Sequence, residues 1–248
     1  MDTLTSLLDS PLVLALWVLA MVPSLIWTIR DLRTRNAHLM PLMKVVWALT
    51  VLYSGPIGLM VYRWSGRKEI PRDTLARRGM RSVAHCYSGC GMGEIIGVTL
   101  AAGILALGTW PVAVTTFTLA YVFGFALTVG PLVQGGTPVG QALKDAALAE
   151  TPSITVMEVT AIGVSLILSA EATMGEPRFW SALIVSLSCG LFVAWPVNVW
   201  LISRGVKEGM MDPRNTDHGA HGAGNDHTAG GDGARSDGPD APGRSAGT

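Results

Sequence analysis

Cys86, Cys90 and Glu94 follow one another at four-residue steps. On a helix that spacing stacks their side chains along one stripe. Two thiols one turn apart can share a soft ion: a thiolate binds copper(I) or zinc(II) strongly, and a carboxylate adds a harder oxygen donor. His85 precedes the stripe and could reach the same ion. A fifth candidate, Glu158, stands inside the apolar run ITVMEVTAIGVSLIL. A charged group in such a run is costly, tends to face the bundle interior, and marks an ion or proton path. Glu150 lies eight residues earlier on the same helical face. The plain alternative is that the cysteines are small packing residues and that Glu94 pairs with an arginine of a nearby loop. The C-x-x-x-C step also differs from the usual two-residue zinc knuckle.

A second ladder, Gly89, Gly93 and Gly97, runs beside the first at the same step. Small residues in register let a neighbouring helix approach the backbone closely. That helix could come from the same chain and bring further ligands to Cys86 and Cys90, or from a second copy in a homo-oligomer. Cys189, on another apolar block, reads as packing, and Glu171 and Glu176 read as interfacial.

The elements that position these groups are transmembrane helices. Of the 248 residues, 49% are hydrophobic and only 15% charged, and the mean hydropathy is +0.40. A soluble domain carries about 25% charged residues. Net charge is zero, so nucleic-acid binding gains no support. Six apolar blocks, near 11–29, 42–62, 83–107, 110–130, 152–173 and 180–202, are each long enough to cross a bilayer, which takes about 20 residues. Backbone amides find no water in lipid, so each block must be helical. The expected fold is an all-α, polytopic transmembrane bundle of about six spans over residues 1–210. A disordered Gly/Asp/His-rich tail follows over 211–248. Pro23, Pro56 and Pro196 are candidate kinks. Segment 131–151 reads as a loop and a short helix before the fifth span.

With six spans both termini lie on one side. The second loop, rich in arginine from Arg63 to Arg81, shares that side with the tail, so the positive-inside rule predicts cytoplasmic termini in the cell (inner) membrane. Arg30, Arg33 and Arg35 argue the other way. In the tail, His218, His221 and His227 form either a weak metal-collecting segment or ordinary solvated polar residues. No G-x-S-x-G, Walker loop, H-E-x-x-H or C-x-x-C-H occurs, so nothing marks an enzyme.

The run His85-Cys86-x-x-Gly89-Cys90-x-x-Gly93-Glu94 resembles the hallmark of a bacterial membrane family catalogued as domain of unknown function 4396. Val46-Trp47 with Leu52-Tyr53-x-Gly55-Pro56, Met157-Glu158, and the stretch from Pro196 through Asn198, Trp200, Gly205 and Lys207 to Met210 are similar to it as well. Ala48 and Thr160-Ala161 depart from its pattern. The resemblance implies a multi-pass membrane protein and names no activity.

Together these residues support a membrane protein that binds, and in the fuller reading transports, a soft metal ion, copper(I) or zinc(II). Its site would draw on His85, Cys86, Cys90, Glu94 and Glu158, and its partners are the lipid bilayer and the ion. Three readings stand beside it: a thiol-redox pair, a transporter or channel for another solute with Glu158 as coupling acid, and a structural bundle built on the glycine ladder.

Overall fold

The computed structural model describes residues 2–169 and 172–215. The described chain is helical throughout: α1 (Asp2–Asp9), α2 (Pro11–Thr34), α3 (Pro41–Ser65), α4 (Leu75–Val98) running into a π-helical turn (Thr99–Ile104), α5 (Thr109–Gln134), α6 (Val139–Ser169) and α7 (Pro177–Ser203). All six apolar blocks are helices, as expected. Helix α6 already begins at Val139 and passes through Pro152, so the short helix expected before the fifth span is continuous with it.

Five helices (α2, α3, α5, α6 and α7) are long and apolar enough to cross a membrane. Helix α4 is not among them, because it faces protein and not lipid. It contacts α3, α5, α6 and α7, and from Gly79 to Gly91 every one of its residues is buried. An axial helix wrapped by its neighbours can carry polar side chains that a lipid-facing helix could not.

Helix α3 does not run straight. At Gly55 the backbone turns to φ 54°, ψ −130°, a conformation suited to glycine. Pro56 follows and withholds an amide hydrogen. The two halves then fold back on one another. The rings of Trp47 and Tyr62 lie 5.2 Å apart between centroids, whereas fifteen residues of unbroken helix would separate them by about 22 Å. The tip is fixed to the axial helix by a 2.7 Å hydrogen bond between the Ser54 and Tyr87 hydroxyls, and Tyr53 packs over Gly91. A re-entrant hairpin is tolerated at membrane depth when protein buries it, and Trp47 and Tyr62 are both fully buried.

This hairpin changes the parity of the chain. Both ends of α3 lie at the same end of the bundle, leaving α2, α4, α5, α6 and α7 to pass through it. At one end, Arg67 bonds Asp31 through two contacts of 3.0 Å, Arg81 donates to the Met210 carbonyl, and the His38 ring meets the Pro213 carbonyl. At the other, Asp9 approaches Arg178 at 4.0 Å. Residues 2–10 and 204–215 therefore lie at opposite ends of the bundle, whereas six full passes would bring them to one end. Among the described residues Arg178 is the one Lys or Arg at its end; all the others gather at the opposite, basic end. Residues 211–215 rest against that basic end. Residues 216–248, with His218, His221 and His227, lie outside the described residues, as does Glu171.

The glycine ladder joins α4 to α5. A Cβ on Gly89 would sit 2.7 Å from Gly124 Cα, one on Gly97 2.8 Å from Thr116 Cα, and one on Gly93 would collide with the Ala120 backbone. This close approach is the expected helix contact, made within one chain. It leaves the Gly89/Gly93/Gly97 face covered by α5.

Candidate functional site

The cysteines of α4 point at α6. Cys86 and Cys90 are fully or almost fully buried and carry free thiols. Opposite them, Glu150 and Glu158 stand eight residues apart on α6, also buried. The Cys86 thiol donates to Glu150 Oε2, and the Cys90 thiol interacts with the Glu158 carboxyl. The stripe on one helix thus meets a stripe on its neighbour, producing two stacked thiol–carboxyl pairs.

The first pair is closed by a cation. Lys207, just beyond α7, sends its ammonium inward to donate to Glu150 Oε2 at 2.8 Å, Asn198 Oδ1 at 3.0 Å and Cys86 Sγ at 3.3 Å. Burial alone would lower the Lys207 pKa, but Cys86 and Glu150 outweigh it and hold the ammonium above its ordinary value. Asn198, fully buried on α7, also accepts from the Ser82 hydroxyl at 3.1 Å and donates to Ser153 Oγ at 2.6 Å. Each side chain of this cluster has at least one hydrogen-bond partner, as buried polar groups require.

Among the described residues no such cation closes the second pair. Both Glu158 oxygens are buried without a hydrogen-bond partner, and so is Oε2 of Glu94, which lies close enough to Glu158 for their charges to interact. A buried carboxyl in this environment is stabilised by a proton or by a neighbouring positive charge. Glu94, whose carboxyl meets Thr116, also lines a cavity of about 360 Å³ toward the Arg178 end, together with Thr116, Ser165, Ser169 and Phe179. His85 is buried beside the first cluster, within the electrostatic reach of Glu150 and Lys207, and its Nδ1 has no partner.

The five sequence-derived candidates are thus all buried but divided: Cys86 and His85 on the basic side, Cys90, Glu94 and Glu158 on the cavity side. Among the described residues no three of His, Cys, Asp and Glu converge tightly enough to cage a metal ion. The donors are of the right chemistry, soft sulfur with unpartnered carboxylate oxygens, and they are arranged in file. Lys207, Asn198, Ser153 and Ser82 were absent from that set. An Asn in the middle of an apolar helix is a usable signal, since it must find a partner inside the bundle. Lys207 stood only in the stretch that resembles the family, and the tertiary fold is what turns it inward.

A family model described as domain of unknown function (DUF4396) matches residues 76–207, more than half of the chain. The chain belongs to that family. The matched region opens at the first turn of α4 and ends on Lys207, so it encloses both thiol–carboxyl pairs, Asn198 and the buried ammonium. It leaves out α1 to α3, including the Val46 to Pro56 stretch whose likeness to the family was noted from the sequence. No curated protein and no solved structure matches the chain.

Proposed function

We propose that this protein binds a soft metal ion, copper(I) or zinc(II), and moves it through the bundle along the file of thiols and carboxylates. One observation carries the reading: two buried thiols on the axial helix each face a buried carboxylate of α6, and among the described residues no basic side chain pairs with Glu158. Thiolate sulfur selects soft ions, and the carboxylates supply charge balance where lipid and protein exclude water. Glu94 would receive the ion from the cavity, Cys90 and Glu158 would hold it, and Cys86 and Glu150 would pass it to the basic end. His85 would add a nitrogen donor there.

The charge distribution supports an orientation with the basic end in the cytoplasm and residues 2–10 on the opposite face of the cell membrane. With five passes, the arginines after α2 fall on the same side as those of the α3–α4 loop. The conflict between these two arginine groups seen in the sequence then disappears.

A second reading rests on the cavity. About 360 Å³ beside an unpartnered carboxylate is room for a small solute, with Glu94 and Glu158 exchanging protons to drive its passage. Elemental analysis of detergent-purified protein separates the two. Stoichiometric metal that disappears in the Cys86→Ser, Cys90→Ser double variant is the expected result. Equal metal in both proteins rejects the metal reading, and transport that survives loss of the thiols but fails in Glu158→Gln establishes the second.

A further inference from the structure

Lys207 is buried between exposed neighbours. Arg204, Gly205, Val206 and Glu208 are exposed, while the Lys207 side chain dips into the bundle with only 4% of it accessible. The segment that carries it is a strap and not part of α7: the chain leaves the helix through Gly205 at φ +69°. Side chains of the bundle reach the strap at the Met210 and Pro213 carbonyls.

The surroundings of the ammonium are those of a bound cation. Its three acceptors come from three different helices, a sulfur from α4, a carboxylate oxygen from α6 and an amide oxygen from α7. An ammonium is a compact, strongly hydrated charge, poorly matched to sulfur, whereas sulfur with two oxygens suits a zinc-like ion. If the ion pair served only to hold helices together, apolar groups of similar volume would do so at least as well.

We propose that Cys86 Sγ, Glu150 Oε2 and Asn198 Oδ1 form a cation site whose resident is the chain's own Lys207 ammonium, and that an arriving soft divalent ion displaces it. This rests on the metal reading above and adds its regulation: the strap is a tethered competitor at the basic end of the file. When the ion enters, a metal–sulfur bond forms, the Cys86 thiol proton leaves to solvent, and Lys207 keeps its own proton and moves out with the strap. An internal competitor lowers apparent affinity by the fraction of time the site stands open.

The test titrates zinc ions, against a competing chelator, into detergent-purified full-length protein. With the site open about a tenth of the time, Lys207→Met should bind zinc about tenfold more tightly than wild type. Adding Cys86→Ser to that variant should remove the gain. A second measurement needs no variant: mass spectrometry after a water-soluble amine-reactive label should find Lys207 protected without zinc and modified with it. Lys207 labelling indifferent to zinc, with Lys207→Met binding no tighter than wild type, overturns the tether. Should zinc still bind wild type and be lost in Cys90→Ser, only the tether fails. Should zinc bind none of these proteins, the metal reading fails with it.

Discussion

The two thiol–carboxyl pairs, two helical turns apart along α6, have the same donors and different fates. At Cys86 and Glu150 the fold supplies a buried ammonium and an asparagine, and both the thiol and Glu150 Oε2 are hydrogen-bonded. At Cys90 and Glu158 it supplies neither, and both carboxyl oxygens lack a hydrogen-bond partner. The difference lies outside the pairs, in what α7 and its strap reach. The basic-side pair is next to the end of α7, where Lys207 can turn inward. The other lies deeper, beside the glycine contact with α5, and among the described residues no basic side chain pairs with it. Burial of a carboxylate creates a demand for positive charge, and the position along the bundle decides whether the chain or a ligand meets it.

Changes at the closed pair should have the largest effect. Lys207→Met leaves Glu150 buried without its cation and should cost about 3 to 5 kcal/mol of stability in metal-free protein. This would be read as a fall in the thermal unfolding midpoint in detergent, partly reversed by zinc if the ion takes the ammonium's place. Next comes the contact that keeps the open pair dry. Gly93→Ala forces a methyl into the Ala120 backbone and should cost about 1 to 3 kcal/mol. Retained metal should fall alongside it, because Glu94 is the next residue.

Glu158→Gln sharpens the contrast. Since the weak Cys90 thiol contact is the interaction its carboxyl would lose, stability should change by no more than about 1 kcal/mol, while metal retention drops. A large loss of stability here would place Glu158 in a satisfied network and erase the distinction between the pairs. The smallest effect belongs to the strap's own ion pair. Hydrogen bonds from Arg214 hold the Asp212 carboxyl below its ordinary value of 3.8. Its stabilisation is therefore complete above that value and is lost as pH falls through the lowered one. In so exposed a pair the loss should be at the edge of detection. A strap that loosened markedly on Asp212→Asn would show that this pair, and not Lys207, holds it down.

The helices were legible because lipid allows little else, and the stripe of Cys86, Cys90 and Glu94 was legible because helical spacing is fixed. Glu158 was legible as a costly acid in an apolar run. The re-entrant hairpin was not. Gly55-Pro56 sits within a block long enough to span, and a kink and a reversal have the same residues in sequence; the fully buried Trp47–Tyr62 contact distinguishes them only in three dimensions. A single reversal also changes the parity of everything before it, which is why residues 2–10 stand at the end opposite residues 204–215. The axial position of α4 was also hidden, although its polar content hints at a helix shielded from lipid. The division of the five candidates into two clusters depends on where α6 and the strap place Glu150, Glu158 and Lys207, and no local pattern records that.

X-ray absorption at the metal edge tests the central claim most directly, on full-length protein purified with the zinc it retains. Sulfur neighbours at about 2.3 Å, lost in the Cys86→Ser, Cys90→Ser variant, are the predicted result. A first shell of oxygen and nitrogen alone, unchanged in that variant, would contradict a soft-ion path through the thiols.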